Sequence, residues 1–176
     1  MKFFARFSLF IGVAFLIFGA YLIFERYNPQ RLGFNNAPAS SLVSSYAFPK
    51  EIIISDLNIK LLIYPAQIEN NKWEATTKGA SYLVSSPIPG DVGNSIIYGH
   101  NWFSLLGRLP KIKPGQKIEV VLDNDEKRTF IVENTSIVSP DQTSVLENTT
   151  DKRITLYTCT GFLDSKRFVA TAVLTR

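Results

Sequence analysis

Residues 153–174 read RITLYTCTGFLDSKRFVATAVL, two runs rich in β-branched and aromatic residues, Arg153–Thr158 and Phe168–Leu174, separated by a short loop. Within the first, Thr155-Leu156-Tyr157-Thr158 alternates polar and apolar, the period of a half-buried strand. Working outward, six more short β-rich runs fit the same description: Glu51–Ser55, Ile59–Tyr64, Lys72–Thr77, Ser95–Gly99, Lys117–Leu122 and Arg128–Val138. Asp123-Asn124-Asp125 supplies a turn between two of them. Helical patterning is confined to short pieces near Ser104–Leu109 and Gln142–Glu147. Eight short strands and few helices predict an all-β domain of about 125 residues, closed or sandwiched.

Upstream the character changes. Phe7–Phe24 reads FSLFIGVAFLIFGAYLIF, eighteen residues without a charge. As a helix it is about 27 Å long at 1.5 Å per residue, close to the ~30 Å hydrocarbon core of a bilayer. A core helix would need a polar face, which this stretch lacks. A cleaved signal peptide would end in small residues, whereas Glu25, Arg26 and Tyr27 follow, and Ala37-Pro38-Ala39 lies well downstream. The expectation is an uncleaved anchor over residues 1–26, with Lys2 and Arg6 holding the N-terminus in the cytoplasm and the remainder exported. Residues 27–49, rich in Asn, Pro, Ser and Gly, read as a linker, and residues 50–176 as the β domain.

Charge confirms this division. The chain of 176 residues carries 19 basic and 15 acidic side chains. Lys2, Arg6, Arg26 and Arg31 stand against Glu25 alone in residues 1–31, which leaves the rest nearly neutral. No basic stripe remains to track phosphates, so a nucleic-acid partner is excluded. A single Cys and a single His also exclude a disulfide framework and a Cys/His zinc cluster.

The two rare residues each close a predicted strand. His100 ends the run Ser95–Gly99, and Cys159 follows Arg153–Thr158. Strand ends hand side chains to clefts, and a thiol becomes a useful nucleophile beside an acid–base group. Arg167 opens the next strand; if the two strands pair, its guanidinium reaches the same cleft, where it favours thiolate and can hold an oxyanion. An inert buried cysteine and a structural histidine are the competing readings.

The wording around these residues resembles the sortases, membrane-anchored cysteine transpeptidases of bacterial cell surfaces. Thr155-Leu156-Tyr157-Thr158-Cys159 looks like their T-L-x-T-C signature, and Pro89-Gly90-Asp91-Val92-Gly93-Asn94 leading to Gly99-His100 looks like their approach to the catalytic His. Arg167-Phe168-Val169 falls where their essential Arg begins the last strand. Asn101 and Thr160-Gly161 depart from frequent family residues and leave the subclass open. The resemblance implies an eight-stranded closed β-barrel and a catalytic trio His100, Cys159 and Arg167, with Thr158, Tyr98 and Tyr157 lining a peptide groove. It also implies surface proteins bearing an L-P-x-T-G-like sorting signal as substrates, and a wall-precursor amine or pilin lysine as acceptor. No cofactor is implied. Calcium, used by some members, finds only scattered loop acids here, Asp123, Asp125, Glu126, Asp141 and Glu147. Two other classes stay open at this point: an L,D-transpeptidase-like wall enzyme, whose Arg follows the Cys more closely, and a tethered, non-catalytic binding domain.

Overall fold

The computed structural model describes residues 2–35, 47–69 and 72–175. Helix α1 spans Lys2–Arg26 and buries none of its apolar window Leu9–Arg26 against protein, as expected of a span whose partner is lipid. Ten strands follow: β1 (Pro49–Ile54), β2 (Ile59–Ala66), β3 (Ile68–Glu69), β4 (Lys72–Trp73), β5 (Ala80–Leu83), β6 (Gly93–Gly99), β7 (Lys117–Leu122), β8 (Lys127–Val138), β9 (Lys152–Thr160) and β10 (Lys166–Leu174). Eight of them close a barrel in the order β1-β2-β5-β6-β9-β10-β8-β7, which leaves no free sheet edge. Interior positions are filled by Ile, Leu, Val and Phe side chains such as Ile52, Ile97, Phe130 and Leu156, all fully buried.

The barrel has eight strands as expected, but one member differs. Lys72–Thr77 contributes only Lys72–Trp73, paired with Ile68–Glu69 in a separate ribbon. The eighth barrel strand is Ala80–Leu83, parallel to β2 and antiparallel to β6. All four of its residues are buried, so it shows no alternation to mark it. Of the expected helical pieces, Ser104–Leu109 is a turn leading into a 3-10 helix at Leu109–Lys111, and Gln142–Glu147 holds the 3-10 helix Thr143–Leu146.

The segment expected as a free linker starts differently. Pro29–Leu32 forms a 3-10 turn capped by Asn28, whose side chain accepts from the Gln30 amide at 3.0 Å. Leu32 and Phe34 are buried against the barrel, at 0% and 4% exposure. An apolar pair two residues apart finds a hydrophobic surface to cover, so the chain docks there instead of solvating. Residues 36–46, including Ala37-Pro38-Ala39, lie outside the described residues.

Candidate active site

The pleat of β6, β9 and β10 sorts side chains into two sets. Ile97 on β6, Leu156 on β9 and Phe168 and Ala170 on β10 point into the barrel. Ile96, Tyr98, Tyr157, Cys159 and Val169 belong to a second cluster on the outer face. Three strands keep strict register across this face. Tyr98 pairs with Tyr157, which pairs with Val169; Gly99 pairs with Thr158, which pairs with Phe168. The next row is His100, Cys159 and Arg167, with Cys159 and Arg167 direct partners and His100 one step beyond the Gly99–Thr158 pair. Neighbouring strands lie about 4.8 Å apart, so three residues separated widely in sequence share one short row. Period-2 alternation puts all three on the same face.

Each member of the row is nearly inaccessible: His100 is 5% exposed, Cys159 4% and Arg167 3%. The His100 ring stacks on Trp102 with centroids 4.6 Å apart, and its Nε2 has no hydrogen-bond partner among the described residues. Burial pushes the imidazole below its usual range, with the Asp164 carboxylate opposing weakly. Burial likewise pushes the Cys159 thiol up to about 12, although Arg167 and Arg31 pull it down and Asp164 adds to the rise. The expectation that Arg167 favours the thiolate is right in sign, yet desolvation outweighs it in this arrangement. Thiol and imidazole rest as a neutral pair.

The cover is the docked segment itself. Cys159 Sγ donates to the Arg31 carbonyl at 2.9 Å, and Arg167 donates from Nε to the Leu32 carbonyl at 3.3 Å and from Nη2 to the Gly33 carbonyl at 2.7 Å. The remaining Arg167 nitrogen donates to the Asp164 and Lys166 carbonyls, both at 3.0 Å. Asp164 organises the rim, accepting from Asn101 at 2.7 Å and from Arg31 at 3.3 Å.

Of the three residues expected to line the groove, Tyr98 and Tyr157 do lie on the outer face, stacked at 5.3 Å with 11° between their planes. Tyr157 meets Phe34 edge-on at 5.1 Å. Thr158 alternates to the other side, and its hydroxyl donates to the Gly99 carbonyl at 2.7 Å. It ties β9 to β6 just before His100. Two residues that sequence reading did not single out complete the outer face. Trp73 packs edge-on against Tyr98, and Asp164 joins three elements of the rim. Lys72-Trp73 carried a strand signal, and only its ribbon's fold over β6 brings the indole to the site. Among the described residues no group of three or more His, Cys, Asp and Glu could hold a metal ion. Asp125, Glu126 and Asp141 are instead engaged with Lys50, Arg128 and Asn35.

The arrangement of nucleophile, acid–base and cation in one row is suited to acyl transfer. Comparison with known proteins agrees. The Sortase domain family model matches residues 52–175. Sortase A of Listeria monocytogenes serovar 1/2a is 30% identical over 146 residues, covering 81% of this chain and 60% of that protein. Sortase A of Bacillus anthracis is 30% identical over 122 residues, covering 67% of this chain and 55% of that one. The chain thus spans less than two thirds of the length of these relatives. Among solved structures, Listeria monocytogenes sortase A superposes with a TM-score of 0.60 at 29% identity over 73% of this chain and 88% of that chain. Streptococcus agalactiae sortase C1 gives 0.62 at 27% identity over 72% of this chain and 67% of that chain. With the barrel, the row and the match over most of the chain in agreement, this protein belongs to the sortase family.

Proposed function

We propose that the chain is a cysteine transpeptidase that cuts an L-P-x-T-G-like sorting signal of surface proteins and joins the product to an amine. The carrying observation is the single row of His100, Cys159 and Arg167 on the outer face of β6, β9 and β10. When the site hydrates, the desolvation that holds thiol and imidazole neutral is relieved, and a proton can pass from Cys159 to His100. The thiolate attacks the scissile carbonyl carbon. Arg167 stabilises the oxyanion with a planar fork. As the C–N bond breaks, His100 gives its proton to the leaving amine, and a thioacyl-enzyme remains. An incoming amine then loses a proton to His100, attacks the thioester and expels the Cys159 thiolate.

The acceptor in this reading is a wall-precursor amine or a pilin lysine. The side chains of His100, Cys159 and Arg167 carry the chemistry in this reading. Helix α1 holds the enzyme in the bacterial cell membrane by a single pass with the barrel outside, where membrane-bound substrate and lipid-linked acceptor meet it at raised effective concentration. A tethered domain that only bound a partner would have no use for aligning the chain's sole His and sole Cys beside an Arg.

The experiment is incubation of the full chain with a panel of sorting peptides and amines, read by mass spectrometry. A mass shift of the enzyme by the acyl fragment, followed by the ligated product, is expected. Cys159→Ala abolishes both; turnover persisting in that variant would exclude the assignment.

A further inference from the structure

Two adjoining loops at one end of the barrel expose large apolar side chains. Phe103, in the loop that follows His100, is 77% exposed; Phe162 and Leu163, between β9 and β10, are 86% and 53% exposed. The loops are neighbours, because Asn101 donates to the Asp164 carboxylate at 2.7 Å. Apolar surface gathered in one place without a cover marks a contact with something other than water.

The surface beside these loops is already committed to lipid. The apolar window of α1 ends at Arg26, and the next residue, Tyr27, meets Trp102 edge-on at 5.1 Å, one position before Phe103. Glu25, in the last turn of α1, pairs with Arg31 at 3.0 Å, and Arg31 pairs with Asp164 at 3.3 Å, one position after Leu163. Both loops are thereby fastened to the end of the helix, where a span of this length leaves the hydrocarbon. Tyr27 and Trp102 have the amphipathic rings that favour the headgroup level, and the exposed Arg26 and Lys166 bring positive charge to the depth of lipid phosphates.

We propose that Phe103, Phe162 and Leu163 form a membrane-docking surface that dips into the bilayer interface around the end of α1, so that the barrel rests on the membrane with its site-bearing end. The inference rests on the reading of α1 as a membrane anchor. Side chains inserted at the boundary of headgroups and acyl chains exchange water for lipid, while Asp164 stays at the rim, paired with Arg31 and Asn101. Docking sets His100, Cys159 and Arg167 near headgroup depth, where a lipid-linked amine reaches them without leaving the bilayer.

The test reads depth and not turnover. In a Cys159→Ala background, which leaves no other cysteine, the full chain is placed in lipid nanodiscs with a nitroxide attached through Phe15→Cys, Phe162→Cys or Lys127→Cys, one at a time. Oxygen concentrates in hydrocarbon and a nickel chelate in water, so the ratio of their collision rates with the nitroxide reports depth. Phe15 lies within the span, and Lys127 opens β8 at the far end of the barrel, since Val138 pairs with Arg167 and Phe130 with Leu174. The ratio at position 162 should lie several-fold above that at 127, toward that at 15. Equal ratios at 162 and 127, with 15 in lipid, overturn the docking surface and keep the anchor; water contact at 15 overturns both. Slow collisions with both reagents at 162 assign the patch to a partner protein and also overturn the proposal. Phe162→Ser with Leu163→Ser, read by a nitroxide attached through Phe103→Cys, should lower the ratio at 103 several-fold, and an unchanged ratio overturns the joint surface. All these side chains are exposed, so the barrel's cooperative thermal transition is retained in each variant.

Discussion

Cys159, with its thiol donating to a carbonyl and its surroundings dry, is protonated at rest, and the direction of its shift makes a stability statement. The folded state prefers the neutral thiol, so that contribution is whole below the ordinary value of 9.0 and is lost as pH rises toward about 12. His100 runs the other way. Its folded pKa lies below the ordinary 6.5, so its contribution is whole above that value and fades as pH falls below it. Melting temperature should therefore be flat between about pH 7 and 8.5 and fall on both sides. His100→Gln should remove the acid-side decline that belongs to this residue; an identical acid limb in the variant would remove His100 as its cause. At Arg167, lysine keeps the charge but cannot serve several carbonyls with a planar fork. Arg167→Lys should cut kcat/KM by about 100-fold and also lower fold stability, since several buried carbonyls lose a donor, and full activity would remove the oxyanion role. All three residues were legible from their strand-end positions and the T-L-x-T-C wording. Their protonation states were not, because desolvation is set by what covers them.

Strand β6 shows how a single side chain holds an element in place. Asn94 is buried at 3% exposure, donates to the Val145 and Glu147 carbonyls at 3.1 and 3.0 Å, and accepts from Thr155 Oγ1 at 2.8 Å. It fastens the 3-10 turn Thr143–Leu146 to β6 and β9 below the His100–Cys159–Arg167 row. Asn94→Ala should cost about 1–3 kcal/mol by urea denaturation, since the Glu147 carbonyl loses this donor and Thr155 and the Val145 carbonyl keep only their longer mutual bond at 3.3 Å. A midpoint unchanged from the parent would mean that water replaces the amide. Seven of the eight barrel strands were readable from alternation or β-rich runs. Ala80–Leu83 was not, because a strand buried on both faces has no period, and Lys72–Thr77 was overread because an alternating run can end in a two-residue ribbon.

On the scale of the molecule, the stretch that follows α1, residues 27–35, lies against the barrel. Tyr27 packs edge-on against Trp102 at 5.1 Å, and the Glu25–Arg31 pair spans the junction. The single cysteine makes the topology directly measurable. In cells carrying Leu32→Asp, a substitution that loosens the buried stretch bonded to Cys159, a membrane-impermeant maleimide should label Cys159 without lysis; labelling only after lysis would place the barrel in the cytoplasm. An apolar helix long enough to cross a bilayer, the β class and the single His and single Cys were already determined by the sequence, because hydropathy over a bilayer's thickness, short β-rich runs and a count of one are properties of composition and order. The tertiary structure alone decided that residues separated by tens of positions form one row, that Trp73 faces it, and that Arg31–Phe34 closes it. Strand register is a long-range pairing, and whether a short Leu-Gly-Phe stretch solvates or docks depends on the apolar surface that a distant part of the chain folds to offer.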